Sequence, residues 1–463
     1  IVFFKIKMNN KVVEKIFNYF SKNFLNMANG EKNHENQKPI KFLFISWESL
    51  SGDLAWKIKN EGHEIKFWHK DPDDIEVYDG FFDKVEHWED FKGWADVIVF
   101  DDSGFGKIAD SLRKEGKLVI GPTEYSDKLE EDREFGQQEM ARMGMTILPH
   151  WNFFNYEEAI NFLKKNPGRY VFKPSGNVLS EQKGILFVGH DESGSDLIEV
   201  LTHNKDSWSK KYKKFQLQKF VSGVEVGIGA FFNGNDFIYP VNINFEHKKL
   251  FPGDIGPHTP EMGTLMYWSN PNPIFKTTLE KMKEPLAKSN YVGYIDINCI
   301  ANNTAVYPLE FTARFGYPTT SIHLDGILSP TGEWLLKLAK GEQFDLRTKK
   351  GFQVGVVVAV PPFPYNDKGA SEIYRDLSII FKKQNLEGIH LGDVKLINED
   401  WHLAGDSGYA LVVTGSGITV AEARRMAYNR IDNIILQNKF YRTDIGLRWH
   451  TDSDRLQSWG YLV

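Results

Sequence analysis

The chain has 463 residues, 41% hydrophobic and 25% charged, the values of an ordinary globular protein with room for about three domains. Lys and Arg number 56 against 62 Asp and Glu, a formal charge of −6, which argues against a general nucleic-acid binder. A single cysteine, Cys299, excludes an intramolecular disulfide and makes a reducing cytoplasm the expected compartment.

Residues 1–39 read as an extension and linker. The opening IVFFKIKM is read as upstream translated or cloning-derived sequence, with Met8 and Met27 as alternative starts. Ile16, Phe17, Phe20 and Phe24 fall at helical spacing, which suits a helix docked on the body or, less favoured, on a membrane surface. No run approaches ~20 apolar residues, so no transmembrane span is expected.

From residue 40 the pattern is α/β. KFLFIS (41–46), ADVIVFDD (95–102) and KLVIGPT (117–123) alternate with helical stretches, which predicts a parallel sheet covered by helices and ending near Pro122. Residues 127–144 read as one charged helix. RYVFKPSG, GILFVG, FQLQKFVSG, VEVGIGAFFNG and DFIYPVNINFEHK follow, separated by glycine turns as antiparallel strands are. YVGYIDINCIANNTAVYPLEFTARFG (291–316) reads as two strands joined at Asn302 and Asn303. From residue 349 come GFQVGVVVAVPP, DVKLINE, GYALVVTG and the helix TVAEARRMAYNRIDNII. The expected units are 1–39, 40–122 (α/β), 123–347 and 348–463 (small α+β).

Phosphate loops of the G-x-x-x-x-G-K-[ST] and G-x-G-x-x-G types, Cys/His metal clusters and a nucleophile elbow do not occur in the sequence. Four pieces in order suggest another nucleotide site. Arg133 lies in the charged helix. Lys173 ends a strand, with Lys183 ten residues on. The strand end at Gln218 and Phe220 can offer backbone groups to an adenine, and Glu225 can reach ribose hydroxyls. Asp296 and Glu310 sit on neighbouring strands, followed by Arg314. Two converging carboxylates suit Mg²⁺, or Mn²⁺, which take oxygen ligands and bridge to phosphates, while the cations offset phosphate charge. Singly these are weak signals, because a strand-terminal lysine is ordinarily solvated and Asp296 could be a hydrogen-bonded core acid. The ordered set is the specific one.

At these residues the chain resembles the phosphoribosylamine–glycine ligase family, over about residues 41–449. GPTEYSDKLEEDREF resembles the family's Gly-Pro segment and L-E-G-S-K-x-F, with Arg133 at the lysine. YVFKPSG is similar to V-I-K-A-D-G, and Lys183-Gly184-Ile185 to G-K-G-V. LQKFVSGVE is similar to E-E-F-L-x-G-E-E, with Gln218 and Lys219 at the first two glutamates. EHKKLFPGDIGPHTPEMG resembles D-H-K-R and D-x-G-P-N-T-G-G-M-G, and LEFTARFGYP resembles I-E-F-N-A-R-F-G-D-P. GVVVAVPPFP, HLGDVK, TVAEARRMAY and FYRTDIGLR extend the likeness to the tail.

The resemblance implies an ATP-grasp core between an N-terminal parallel α/β domain and a small C-terminal α+β domain. It implies an ATP-dependent carboxylate–amine ligase working through an acyl phosphate. Glycine and 5-phosphoribosylamine would give glycinamide ribonucleotide in purine biosynthesis, with ADP and phosphate released. Arg133, Lys173, Lys183, Gln218, Phe220 and Glu225 would bind ATP, and Asp296 and Glu310 the metal. Arg314 would hold the carboxylate or acyl phosphate, and Asp254 the amino group. The partners would be small molecules, without nucleic acid or membrane, and the protein a cytoplasmic monomer or dimer.

The chain departs from the pattern in places. The family's G-x-G-G-R-E-H-A-L-A-W loop, which holds the phosphoribosylamine, reads SWESLSGDLAW at residues 46–56, a poorer phosphate cradle. Thr312 stands at the family's asparagine ligand and Asp296 at a tyrosine, read as an acid returned on the neighbouring strand. Two alternatives stay open: a related ligase joining a different amino acid or amine, and a non-catalytic nucleotide-binding paralogue.

Overall fold

The computed structural model describes residues 38–175, 186–365 and 367–462. The expectations for the opening helix and for Lys183 fall outside them. Five short strands follow one another in the first part: β1 (Lys41–Ser46), β2 (Glu64–His69), β3 (Asp83–Lys84), β4 (Val97–Phe100) and β5 (Val119–Ile120). They form a parallel sheet in the order β3-β2-β1-β4-β5. Every residue of β4 is buried, as are Phe42, Leu43 and Phe44 of β1. Strands covered on both faces need no polar alternation, so they read as unbroken apolar runs. The expected charged helix is instead two, Glu124–Glu131 and Arg133–Arg142. Asp132 breaks it, accepting from the backbone N–H groups of Glu134 and Phe135 as the cap of the second helix.

A second sheet, antiparallel, is built from β6 (His150–Phe153), β7 (Tyr170–Ser175), β8 (Phe187–Val188) and β9 (Lys214–Lys219) in the order β6-β9-β7-β8. Helices Tyr156–Lys165 and Ser195–Lys211 bury Ile160, Leu163, Leu197 and Leu201 against its Phe172, Phe215 and Leu217.

The third sheet is the largest. It contains β10 (Val224–Asn233), β11 (Phe237–Glu246), and, after the hairpin of β12 (Lys249–Phe251) and β13 (Ile255–His258), β14 (Gly263–Ser269), β15 (Val292–Ala301) and β16 (Val306–Thr312). From the last part of the chain come β17 (Phe352–Ala359), then, beyond β18 (Ser378–Phe381), β19 (Ile389–Leu391), and, beyond β20 (Val394–Ile397) and β21 (Asp400–Leu403), β22 (Tyr409–Gly417). The eight strands run β16-β15-β10-β11-β14-β17-β22-β19, all antiparallel. The ladder therefore passes without interruption from the middle of the chain into its C-terminal part.

Asp53, buried on helix Gly52–Asn60, fastens distant elements. It accepts from Ser321 Oγ (3.0 Å) and Leu391 N (3.1 Å) and bonds His390 Nδ1 (2.8 Å), whose Nε2 meets Thr414 Oγ1 at 2.9 Å. Among the described residues no helix is long and apolar enough to cross a membrane.

Candidate active site

The pairing register decides which side chains meet. On β10, Glu225, Gly227 and Gly229 lie on one face. Gly227 is opposite Asn244 of β11 and Asn298 of β15, Gly229 is opposite Asp296, and on β16 Glu310 is opposite Asn298. Residues directly opposite point to the same side of a sheet. This face is accordingly polar, with Glu246 at the end of β11 and Lys248 just beyond. The two glycines give it room: a Cβ on Gly229 would overlap the Tyr294 hydroxyl and come within 2.9 Å of Asp296 Oδ2, and one on Gly227 would overlap the Asn244 amide.

Lys248 is the hub, with Nζ at 3.0 Å from Glu246, 3.7 Å from Glu310 and 3.8 Å from Glu225. Burial would lower its pKa, but these three carboxylates outweigh burial and hold it above its ordinary range. Arg133 reaches Glu310 at 4.0 Å from the opposite wall, and its Nε is buried without a hydrogen-bond partner among the described residues. Lys173, on β7, donates to Gln218 Oε1 on β9 at 2.6 Å. Burial, reinforced by Arg133, pushes the Lys173 ammonium down to about 7. Arg169 stacks on Phe220, 3.6 Å from guanidinium to ring centroid, fixing the strand end expected to meet the base. Arg133, Lys173, Glu225 and Glu310 thus converge, with Gln218 and Phe220 on the same wall.

Three expectations are revised. Asp296 is not beside Glu310. It lies two residues along β15, opposite Thr312, 5% exposed, accepting from Asn244 Nδ2 (2.7 Å) and Tyr294 OH (3.2 Å). Burial, together with Glu246, raises it to about 7. The residue opposite Glu310 is Asn298. Its Nδ2 donates to Glu246 (3.2 Å) and Glu225 (3.5 Å), which turns Oδ1 the other way, and that oxygen is buried without a partner among the described residues. Asp254 is held by Arg442 (2.9 Å) and Arg448 (3.0 Å), whose charge keeps its carboxyl below the usual range against the effect of burial. It is already neutralised and does not suit an amino group. Arg314 meets Glu130 at 3.0 Å and Asp102 at 3.1 Å, so it faces the first sheet, away from the Lys248 cluster. The sequence singles out neither Lys248, Glu246 nor Asn298: EHK reads as the end of an antiparallel strand segment and DINC as part of a mostly apolar strand. The alternation of Asp296 with Asn298 was the available signal.

A divalent ion fits this face through few protein ligands. Among the described residues no group of three or more His, Cys, Asp or Glu side chains is arranged to hold a metal. Glu310 and the orphaned Asn298 Oδ1 are hard oxygen donors, and an ion of about six oxygen ligands takes the remainder from phosphates and water.

The loop at residues 46–53 is knotted by serines and acids. Ser46 and Ser51 hydroxyls both donate to Asp101 at 2.6 Å, and Asp101, fully buried, is raised to about 7 by burial. Ser49 bonds His69 Nδ1 (3.0 Å) and donates to Asp74 (3.3 Å). Burial and the neighbouring Asp71 and Asp406 push Asp74 up to about 7. Lys70 lies over the Trp47 ring and, like Arg314, faces Asp102.

Comparison with known proteins bears on this geometry. A model of the phosphoribosylglycinamide synthetase ATP-grasp (A) domain matches residues 131–320, and one of that synthetase's C domain matches residues 353–448. The chain belongs to the phosphoribosylglycinamide synthetase family. Among its relatives are phosphoribosylamine–glycine ligases of Streptococcus pneumoniae, 26% identical over 75% of this chain and 82% of theirs, and of Clostridium acetobutylicum, 27% identical over 73% and 81%. The fold matches the crystal structure of the Thermotoga maritima phosphoribosylamine–glycine ligase with a TM-score of 0.67, at 22% identity over 88% of this chain and 100% of that one. A biotin carboxylase from Campylobacter jejuni matches at 0.59, with 12% identity over 92% and 98%. Family membership makes this an ATP-grasp ligase that uses ATP with a divalent metal and acts on small molecules. The first matched segment contains Arg133, Lys173, Lys248, Asn298 and Glu310, the cluster assembled above from strand register.

Proposed function

We propose that the protein joins glycine to 5-phosphoribosylamine, giving glycinamide ribonucleotide, ADP and phosphate, as a cytoplasmic step of purine biosynthesis. The observation that carries this reading is the convergence of Arg133, Lys173 and Lys248 on Glu225, Glu246 and Glu310 inside a family ATP-grasp segment. Residues 40–122 would present the amine, 123–347 hold ATP, and 348–463 complete the site. Lys173 and Arg133, with Lys183, hold the phosphates. Gln218 and Phe220 hold the base, and Glu225 the ribose. Glu310 and Asn298 would hold Mg²⁺, with Asp296 on the same sheet face two residues from Asn298; the ion would offset charge on the transferred phosphoryl group. Phosphorylation turns the glycine carboxylate into an acyl phosphate, a good electrophile, which the amine attacks with loss of phosphate. Arg314, its plane fixed by Glu130 and Asp102, and Lys70 are the cations on the acceptor side.

A second reading, an amine without a phosphate, is favoured by the carboxylates Glu48, Asp74, Asp393 and Asp406, which influence one another beside the loop at 46–53. One assay separates the two: ADP release with glycine and 5-phosphoribosylamine, singly and together, against a panel of simple amines. Transfer of ¹⁸O from the carboxylate to phosphate reports the acyl phosphate. ADP release that needs both family substrates supports the first reading. Labelled phosphate only with another amine supports the second, and none with any pair overturns both.

A further inference from the structure

Five carboxyl groups, Glu225, Glu246, Glu261, Asp296 and Glu310, crowd around Lys248. Nucleotide, metal and Lys248 account for Glu225, Glu246 and Glu310, and hydrogen bonds account for Asp296. Glu261 is unaccounted for. It stands where the resembling motif has glycine, so the known chemistry of the family does not require it.

Its place is set by backbone pairing. The segment before β14 runs antiparallel to residues 246–248: Met262 N donates to His247 O (2.9 Å), Thr259 N to Lys248 O (2.8 Å) and His247 N to Gly263 O (3.0 Å). This lays Glu261 alongside Glu246 and Lys248. The side chain is 4% exposed, and Oε1 has no hydrogen-bond partner among the described residues. Met262, next in the chain, packs with Tyr409 and Tyr317, whose rings lie tilted with centroids 3.8 Å apart. Glu261 therefore sits between the phosphate side and that aromatic wall. The cleft opens beside it, at Glu225 and Glu310, whose side chains are 40% and 49% exposed.

A buried carboxylate with an unmatched oxygen needs a cation or a proton. Burial and the nearby Glu246 both raise the Glu261 carboxyl well above its ordinary range, the mark of a carboxyl group short of positive charge. Lys248 is already shared among three acids. The substrate of an acyl-phosphate ligase enters with its carboxylate toward the cations and metal. An α-amino acid then carries an ammonium two bonds away from that carboxylate carbon.

We propose that Glu261 is the ammonium-recognition residue of the amino-acid subsite, taking the role that its ion pairs deny to Asp254. The inference rests on the ligase reading above. It explains how the site selects an amino acid over a plain carboxylic acid: an ammonium is held by a desolvated, charge-assisted hydrogen bond that a methyl group cannot make.

The test is calorimetric titration of the full chain, with Mg²⁺ and a non-hydrolysable ATP analogue present, using amino acids and their des-amino counterparts, glycine against acetate first. A charge-assisted bond of this kind is worth about tenfold in affinity or more. Wild-type protein should prefer glycine to acetate by at least about that factor. Glu261→Gln, melting at the wild-type temperature, should narrow the preference to about threefold or less. No amino-acid preference in the wild type, or one that survives Glu261→Gln, overturns the proposal. If another amino acid shows the preference and its loss while glycine does not bind, Glu261 keeps its role and glycine is the wrong substrate.

Discussion

Lys173 enters the site with a neutral partner. The resembling motif has glutamate where this chain has Gln218, and an amide oxygen accepts a hydrogen bond from the lysine without balancing its charge. Phosphates do balance it, so nucleotide binding should draw protonation with it. With a free-protein pKa of about 7, ATP affinity should be level below about pH 6 and fall as the pH rises through 7 to 9, where the free protein has lost the proton that binding must restore. Arg133, Lys248, Glu225 and Glu310 face the same ammonium and set the midpoint. Calorimetric affinities across that range check the trend. Gln218→Glu should flatten it, and Lys173→Ala should weaken binding by about 2 kcal/mol by leaving a phosphate oxygen unpaired. At the proposed metal site, Asn298→Ala and Glu310→Gln should each weaken Mn²⁺ binding to the ATP complex by roughly tenfold or more, read by electron paramagnetic resonance. Asp296→Asn should change it less, because a neutral amide oxygen can still accept from Asn244 and Tyr294. A larger loss at Asp296 than at Asn298 would restore Asp296 as the ligand.

The elements explain what could be seen in advance. β1, β4, β10 and β15 are dense in Val, Ile and Phe and bounded by turns, so their existence was plain from sequence, and the order of Arg133, Lys173, Glu225 and Glu310 survived as motif spacing. The partners were not plain. Lys248 finds Glu310 only through β10, β11, β15 and β16 lying in one ladder, and Asp254 finds Arg442 and Arg448 across 188 and 194 residues. A one-residue slip of register would have sent Asn298 to the other face, so which of Asn298 and Asp296 stands opposite Glu310 could not be read before the pairing was known. Lys183 lies outside the described residues and stays a sequence expectation. The glycines of β10 are the element's own signature. Gly229→Ala would press a methyl group into the Tyr294 hydroxyl and Asp296, and should cost about 1–3 kcal/mol in chemical unfolding. A substitution without cost would mean that the polar face has room to spare.

Across the molecule, Asp53 links the first sheet's helix to Ser321 and to β19. Asp53→Ala leaves His390 and the Leu391 N–H without their carboxylate. The expected loss is about 3 kcal/mol in urea unfolding, and a wild-type midpoint would show the links to be incidental. The eight-stranded ladder has a different consequence. β14 is bonded on one side to β11 and on the other to β17, which lies beyond residue 348. A chain cut before β17, by a protease or a premature stop, would keep its whole ATP-grasp segment yet bare the backbone of Thr264, Leu265 and Met266 as a raw sheet edge, with two buried apolar side chains beside it. Such an edge is a template for pairing with other chains. The C-terminal part therefore acts as an internal guard against polymerisation, and truncated copies of this enzyme should collect in insoluble aggregates instead of persisting as free nucleotide-binding modules.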